Sequence, residues 1–209
     1  MQPTGLLGLF YRVSEWVTRV AYLNLLWIGF SLAGVVVVGF MPATTAMFVV
    51  VRHWLTDDAD CSVFPVFWAA FRKEFARSNL LGLMLAALGV ITYVDLHFFM
   101  SSHTLMFQVL KFVTLGIALI YLATIGYVFP ILATYDMPPW RVLVVSVFLG
   151  GSRPIRTVFI LLACASVAWL SLAFPMPLFL VNGSGAALLL TWNALKVLKK
   201  MDARFGQQR

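Results

Sequence analysis

Asp95 and His97 stand inside the apolar stretch 79–100, and His103 lies just beyond it. Ionisable groups are costly in hydrocarbon and mark ion or proton pathways there, and an imidazole changes charge near neutral pH. Asp95 and His97 are therefore the candidate polar intramembrane residues, with a proton relay or a ligand contact as the chemistry they could supply. Two residues apart on a helix, they point in different directions and cannot jointly chelate an ion without a bend. Both also lie a turn or two from the polar Ser101-Ser102. A solvated outer helix end is the simpler account of them.

The tryptophans are the second group with chemical potential, because aromatic faces stack on sugar rings. Trp16, Trp54, Trp68, Trp140 and Trp192 fall near expected membrane boundaries, where amphipathic rings collect in any case. Trp27 and Trp169 lie deeper and are the better pocket candidates. The chain has no GxxxxGK[ST] phosphate loop, no HExxH, no GxSxG and no Cys/His cluster at metal-ligand spacing. Cys61 and Cys164 lack a CxxC spacing and predict no disulfide, haem or zinc site. These absences predict a non-enzyme with no cofactor and no metal.

Composition says what must position these residues. Of 209 residues, 62% are hydrophobic and 11% charged, with a mean hydropathy of +0.93, against about 25% charged in a soluble domain. Residues 20–51, 112–135 and 157–195 contain no Asp, Glu, Lys or Arg, and 78–94 is nearly as long. About 20 apolar residues span a bilayer core. The fold class expected is all-α: a polytopic membrane bundle, a single domain over 1–209, with five or six embedded helices and short amphipathic interfacial helices.

The run 20–51 would measure about 48 Å as one helix against a core of about 30 Å. Gly39 and Pro42 are the natural break points, which predicts embedded helices at 21–40 and 42–55, the second either crossing back or only re-entering. Further embedded helices are expected at 79–100, 104–131, 155–174 and 178–198, the last two divided at Pro175-Met176-Pro177. Asn182-Gly183-Ser184-Gly185 reads as a loop or as a break in the last helix. Interfacial helices are expected at 6–19, 62–77 and 138–149. The echo of Phe40-Met41-Pro42-Ala43-Thr44 in 129–134 hints at an internal repeat, although Pro and small residues end many helices.

Arg12, Glu15 and Arg19 interrupt any signal-peptide core, so the first apolar stretch is expected to stay in the product. The basic residues gather in 52–77, 141–156 and 196–209, which the positive-inside rule assigns to the cytoplasm together with both termini. Lys111 is the exception. The net charge of +7 is thereby explained without nucleic acid. In 62–77, Phe64, Phe67, Trp68, Phe71 and Phe75 recur at helical spacing, while Arg72, Lys73, Glu74 and Arg77 take other faces. Such a helix suits an inner-surface or partner contact, with Phe64, Phe67, Trp68, Phe71, Arg72, Lys73, Phe75 and Arg77 as its candidate residues. Gly29 with Ala33, and Gly82 with Ala86, are the candidate helix-packing pairs.

The strings Asn24-Leu25-Leu26-Trp27, Gly39-Phe40-Met41-Pro42-Ala43-Thr44-Thr45-Ala46-Met47, Val51-Arg52 and Phe67-Trp68…Phe71-Arg72-Lys73-Glu74-Phe75…Ser78-Asn79-Leu80 resemble the YesL family of small bacterial membrane proteins. The resemblance covers essentially the whole chain and carries no catalytic residues. Members are typically encoded beside ABC-type oligosaccharide importers and glycoside hydrolases. The resemblance thus implies carbohydrate transport: an accessory subunit in the bacterial plasma membrane, whose partners are the bilayer and the importer's permease subunits, with their ATPase as a further candidate. No EAA-type permease motif occurs, so the standard permease half is not expected. Two alternatives stay open: a self-sufficient transporter or channel using Asp95, His97, Thr191 and Asn193, and a membrane scaffold or sensor.

Overall fold

A computed structural model describes residues 6–34, 37–56, 61–101, 104–152, 158, 162 and 179–206. Six helices occupy these residues: α1 (Leu6–Ala33), α2 (Val37–Thr56), α3 (Val63–Met100), α4 (Leu105–Thr134), α5 (Pro139–Ser152) and α6 (Phe179–Gly206). Within the described residues the chain is all-α. Three helices are long and apolar enough to cross a membrane: Val38–Thr56, Val63–Met100 and Leu105–Thr134. The helix expected at 155–174, together with Cys164, Trp169 and His103, lies outside the described residues.

α2 is the hub. It packs against α1, α3, α4 and α6, and 61% of its apolar window is buried in the chain, against 6% for α3. Two apolar cores flank it. Leu23, Ala46, Val50, Phe67 and Ala187 lie in one, where α1, α2, α3 and α6 meet. The other joins Leu81 and Leu85 of α3 to Tyr127 and Ile131 of α4 and Val142 and Leu149 of α5.

Several expected boundaries move. The chain turns at 34–37, not at Gly39 and Pro42, and Pro42 sits inside α2. Its ring removes one early helical hydrogen bond, which a helix near its start tolerates. The turn sits earlier because Gly34 and Gly39 meet backbone to backbone: a Cβ on Gly39 would lie 2.7 Å from the Phe30 carbonyl oxygen and 2.8 Å from Gly34 Cα. The segments expected as 62–77 and 79–100 form one 38-residue helix, since a change from amphipathic to apolar composition breaks no backbone hydrogen bond. Likewise 6–19 continues into α1. Asn182 to Gly185 neither break α6 nor form a loop. Two of them serve packing: a Cβ on Gly183 would meet Asn24 Oδ1 at 2.7 Å, and Ser184 Oγ donates to the Val20 carbonyl at 3.1 Å.

α5, expected as a short interfacial helix, is too short to span alone and has protein neighbours. It packs along α4 and touches α3, with Gly150 close enough to Ala123 that an added Cβ would stand 3.2 Å from that methyl. Only part of the small-residue expectation holds. Gly29 faces open space, with nothing within 4 Å of an added Cβ, and Ala33 and Ala86 are exposed. Gly82 is a true contact, under Met41 of α2, and its working companion is Gly89 beneath the Tyr121 hydroxyl of α4.

The two glycine environments give opposite outcomes. Gly39→Ala forces the turn apart and lowers stability by about 1–3 kcal/mol, the usual cost of overpacking. Gly29→Ala is neutral or stabilising by about 0.5–1 kcal/mol through helix propensity. Unfolding of both variants by denaturant in mild detergent checks the difference in sign.

Candidate functional site

A cleft of about 400 Å³ opens where α2 ends, α3 is in its first half and α4 ends. Val49, Arg52 and His53 line it from α2, Ala70, Lys73, Glu74 and Arg77 from α3, and Thr134 to Asp136 from the end of α4. These positions are far apart in sequence and meet because α2 and α3 pack against each other and against α4.

Arg77 is the centre of the site. Its Nη1 donates to Glu74 Oε1 at 3.1 Å and to Asp136 Oδ1 at 2.7 Å, while Nη2 donates to the Met137 carbonyl. Glu74 is only 6% exposed, and a buried carboxylate requires a close countercharge; Arg77, one helical turn on, supplies it. Lys73 adds a looser contact to Asp136 at 3.6 Å, with both side chains well exposed. Arg52 Nη1 reaches the Thr134 carbonyl at 3.4 Å. That oxygen is in the last turn of α4, where carbonyls lack intrahelical partners and the helix dipole favours a cation. Two arginines from two helices thus hold the end of α4 and the link that leads into α5.

The arrangement positions charged groups from α2, α3 and the end of α4 around one cleft. Among the described residues no group of three His, Cys, Asp or Glu is placed to hold a metal. Another face of α3 is aromatic. Phe30 of α1 lies among Phe64, Phe67, Trp68 and Phe71 of α3 with ring centroids 5.1–6.5 Å apart. Phe67 and Phe71 are therefore committed inside the chain, a correction to their expected role as surface contacts. Phe64, Trp68, Arg72, Lys73 and Phe75 remain exposed, with the Arg72 guanidinium 5.7 Å from the Trp68 ring centre.

Asp95 and His97 lie elsewhere. Both are exposed on the far part of α3, His97 stacking on Tyr93 at 6.2 Å. Thr191 is buried and Asn193 half-buried on α6, a helix that makes no contact with α3 among the described residues. The four candidates for a polar path are not brought together. Trp27 is engaged by α2, its Nε1 donating to Thr44 Oγ1 at 3.0 Å, and does not line the cleft. Sequence reasoning missed Arg52, Glu74 and Asp136 as site members. The available signal was Glu74, a lone acid among Arg72, Lys73 and Arg77 at the spacing of a helical ion pair.

Comparison with known proteins agrees with the whole-chain resemblance. Residues 20–96 match the family described as "Protein of unknown function, DUF624". The chain is 39% identical over 194 residues to "Uncharacterized protein YesL" of Bacillus subtilis (strain 168), covering 93% of this chain and 91% of that one. It is 43% identical over 136 residues to "Uncharacterized protein YteU" of the same organism, covering 65% and 61%, and 32% identical over 197 residues to "Uncharacterized protein YesV", covering 94% and 95%. No solved structure matches. The chain belongs to this YesL-like family, and the cleft-forming residues of α2 and α3 fall inside the matched segment.

Removing Arg77 exposes the energetics of the site. Arg77→Ala leaves the buried Glu74 carboxylate without its cation and costs about 3 kcal/mol, the low end of the range for breaking a buried pair. Adding Glu74→Gln to Arg77→Ala recovers a large part of that loss. Asp136→Ala alone, at an exposed position, costs less than about 1 kcal/mol. Thermal unfolding of the three variants in detergent reads this order.

Proposed function

We propose that the chain is a non-catalytic accessory subunit of a bacterial ABC-type oligosaccharide importer. It is held in the plasma membrane by five or six embedded helices, with both termini at the inner face. The reading rests first on family resemblance, whose members sit beside such importers. The structural observation that supports it is the ion-paired cleft with Lys73 exposed in its wall, on a helix whose other face exposes Phe64, Trp68 and Arg72. The cleft wall carries three cations, Arg52, Lys73 and Arg77, against two carboxylates, Glu74 and Asp136, an excess of positive charge that suits an acidic segment of a permease or ATPase.

Cations pair with tryptophans on three helices: Arg72 with Trp68, Arg141 with Trp140 at 5.2 Å, and Lys196 with Trp192 at 3.4 Å. Amphipathic rings beside cations are the chemistry of a headgroup layer, and the inner leaflet carries the anionic lipid that favours Lys and Arg. This supports an inner-face location for the cleft, in reach of a cytoplasmic ATPase. A self-sufficient transporter fits less well, because Asp95, His97, Thr191 and Asn193 do not converge.

Affinity purification from native membranes in mild detergent should recover permease and ATPase subunits, and the importer's ATPase rate should differ with and without this chain. Recovery of no importer component overturns the reading. Paired replacement Trp68→Ala and Lys73→Glu should reduce recovery several-fold while leaving the chain folded, since both side chains are exposed. Asp95→Asn should leave sugar uptake unchanged; a lost rate would favour the transporter instead.

A further inference from the structure

The two helical hairpins do not reach the same depth. Between α3 and α4, Tyr121 Oη donates to the Leu85 carbonyl at 3.0 Å, and Phe99 packs on Phe107 at 5.9 Å. Fourteen residues forward on α3 are matched by fourteen back on α4, so Asp95 and Lys111 fall level with one another. The eighteen-residue step from Arg77 to Asp95 rises about 27 Å, close to the roughly 30 Å of a hydrocarbon core. Between those levels α3 carries no charge; Ser78, Leu81, Gly82 and Leu85 are buried against its neighbours, and from residue 86 to Met100 no residue is buried by protein. Beyond Asp95 the hairpin ends at polar Ser101 and Thr104.

The register of α2 on α3 is fixed in the same way. Ser78 Oγ donates to Thr45 Oγ1 at 2.8 Å, and Gly82 lies under Met41, four residues forward on one helix matching four back on the other. Extrapolated, Val38 comes level with Leu85, about 12 Å above Arg77 and about 15 Å short of Asp95. Phe30 of α1 reaches Phe64, Phe67, Trp68 and Phe71, lower still on α3, so the level extrapolated from α2 is an upper bound for the turn. Composition agrees independently: the 34–37 turn reads Gly-Val-Val-Val, inside a run without charge, whereas the α3–α4 link is polar. Backbone at such a depth must satisfy itself, and Gly39 N–H donates to the Gly34 carbonyl at 3.0 Å while Gly34 N–H donates to Phe30 at 3.1 Å.

We propose that α1 and α2 form a re-entrant hairpin that enters from the basic end, turns within the bilayer and leaves by the same face. α3 and α4, by contrast, cross completely, and their far halves are covered by lipid acyl chains. This rests on the membrane-spanning part of the reading above and not on any importer.

Single cysteines in a background with Cys61 and Cys164 replaced by Ala test it, in the full-length chain in oriented membrane vesicles. Ser101→Cys and Thr56→Cys report the two faces; if both label from one side with a membrane-impermeant maleimide, the spanning reading itself fails. With those on opposite faces, Val38→Cys and Leu32→Cys, at exposed positions, should label from neither side, at least about tenfold slower than Ser101→Cys, as expected for sites shielded by hydrocarbon. Nitroxides on them should be relaxed more by oxygen than by a water-soluble nickel chelate. Labelling of both Val38→Cys and Leu32→Cys from the Ser101 face means a full crossing, labelling of both from the Thr56 face means no insertion, and either outcome overturns the proposal. Two sites on separate helices keep the test informative if one variant misfolds.

Discussion

Hydrocarbon offers a peptide group nothing to bond with, so each change of direction in a membrane chain must either reach water or satisfy its own donors and acceptors. This constraint separates the two hairpins. The α3–α4 link is made of serine, histidine and threonine, groups that water solvates. The α1–α2 link is glycine and valine, and its neighbours close on each other through backbone hydrogen bonds at Gly34 and Gly39. The same accounting explains the hydroxyls on α2: Thr44 and Thr45 bond to carbonyls of their own helix while accepting from Trp27 and Ser78 on neighbouring helices. The hub helix holds its neighbours through polar contacts that leave no hydroxyl wasted.

At the basic end the governing term changes from backbone satisfaction to charge neutralisation. A carboxylate at 6% exposure cannot stand alone, so Glu74 fixes Arg77, and Arg77 in turn fixes Asp136 and the carbonyl of Met137. Arg52 does the same for the last turn of α4. Ion pairs of this kind add little net stability relative to an apolar pair of equal volume, but they specify which surfaces meet. Here they determine where α4 stops and where α5 begins. The cleft is the space left between elements held apart by charge instead of closed by packing.

Much of this was legible in residue order. Charge-free length pointed to an all-α chain with helices long and apolar enough to cross a membrane, because it is a local property. The boundary at Arg77 was misread since a helix can leave one solvent for another without altering a single hydrogen bond; α3 passes from amphipathic to apolar unbroken. Gly29 and Gly82 looked alike by spacing, yet only the second meets a neighbour. Spacing reports which face is smooth and says nothing about what faces it. The Arg77–Asp136 contact joins positions 59 residues apart, a pairing fixed by the register between α3 and α4 and hidden until that register is known. Asp95 and His97 attracted notice as charges in an apolar run, and the run turned out to end at their level.

α3 is a single unbroken rod of 38 residues, about 57 Å long, gripped near its middle where Gly82 rides on Met41. Such a rod is a lever with a fulcrum. A tilt of about 5° imposed at the Trp68 end would swing Met100, about 27 Å beyond the grip, sideways by about 2 Å in the opposite sense. The flexible thioether of Met41 is a soft bearing for such rocking. Mechanical work done at one membrane face would thus be delivered to the other without any helix having to bend.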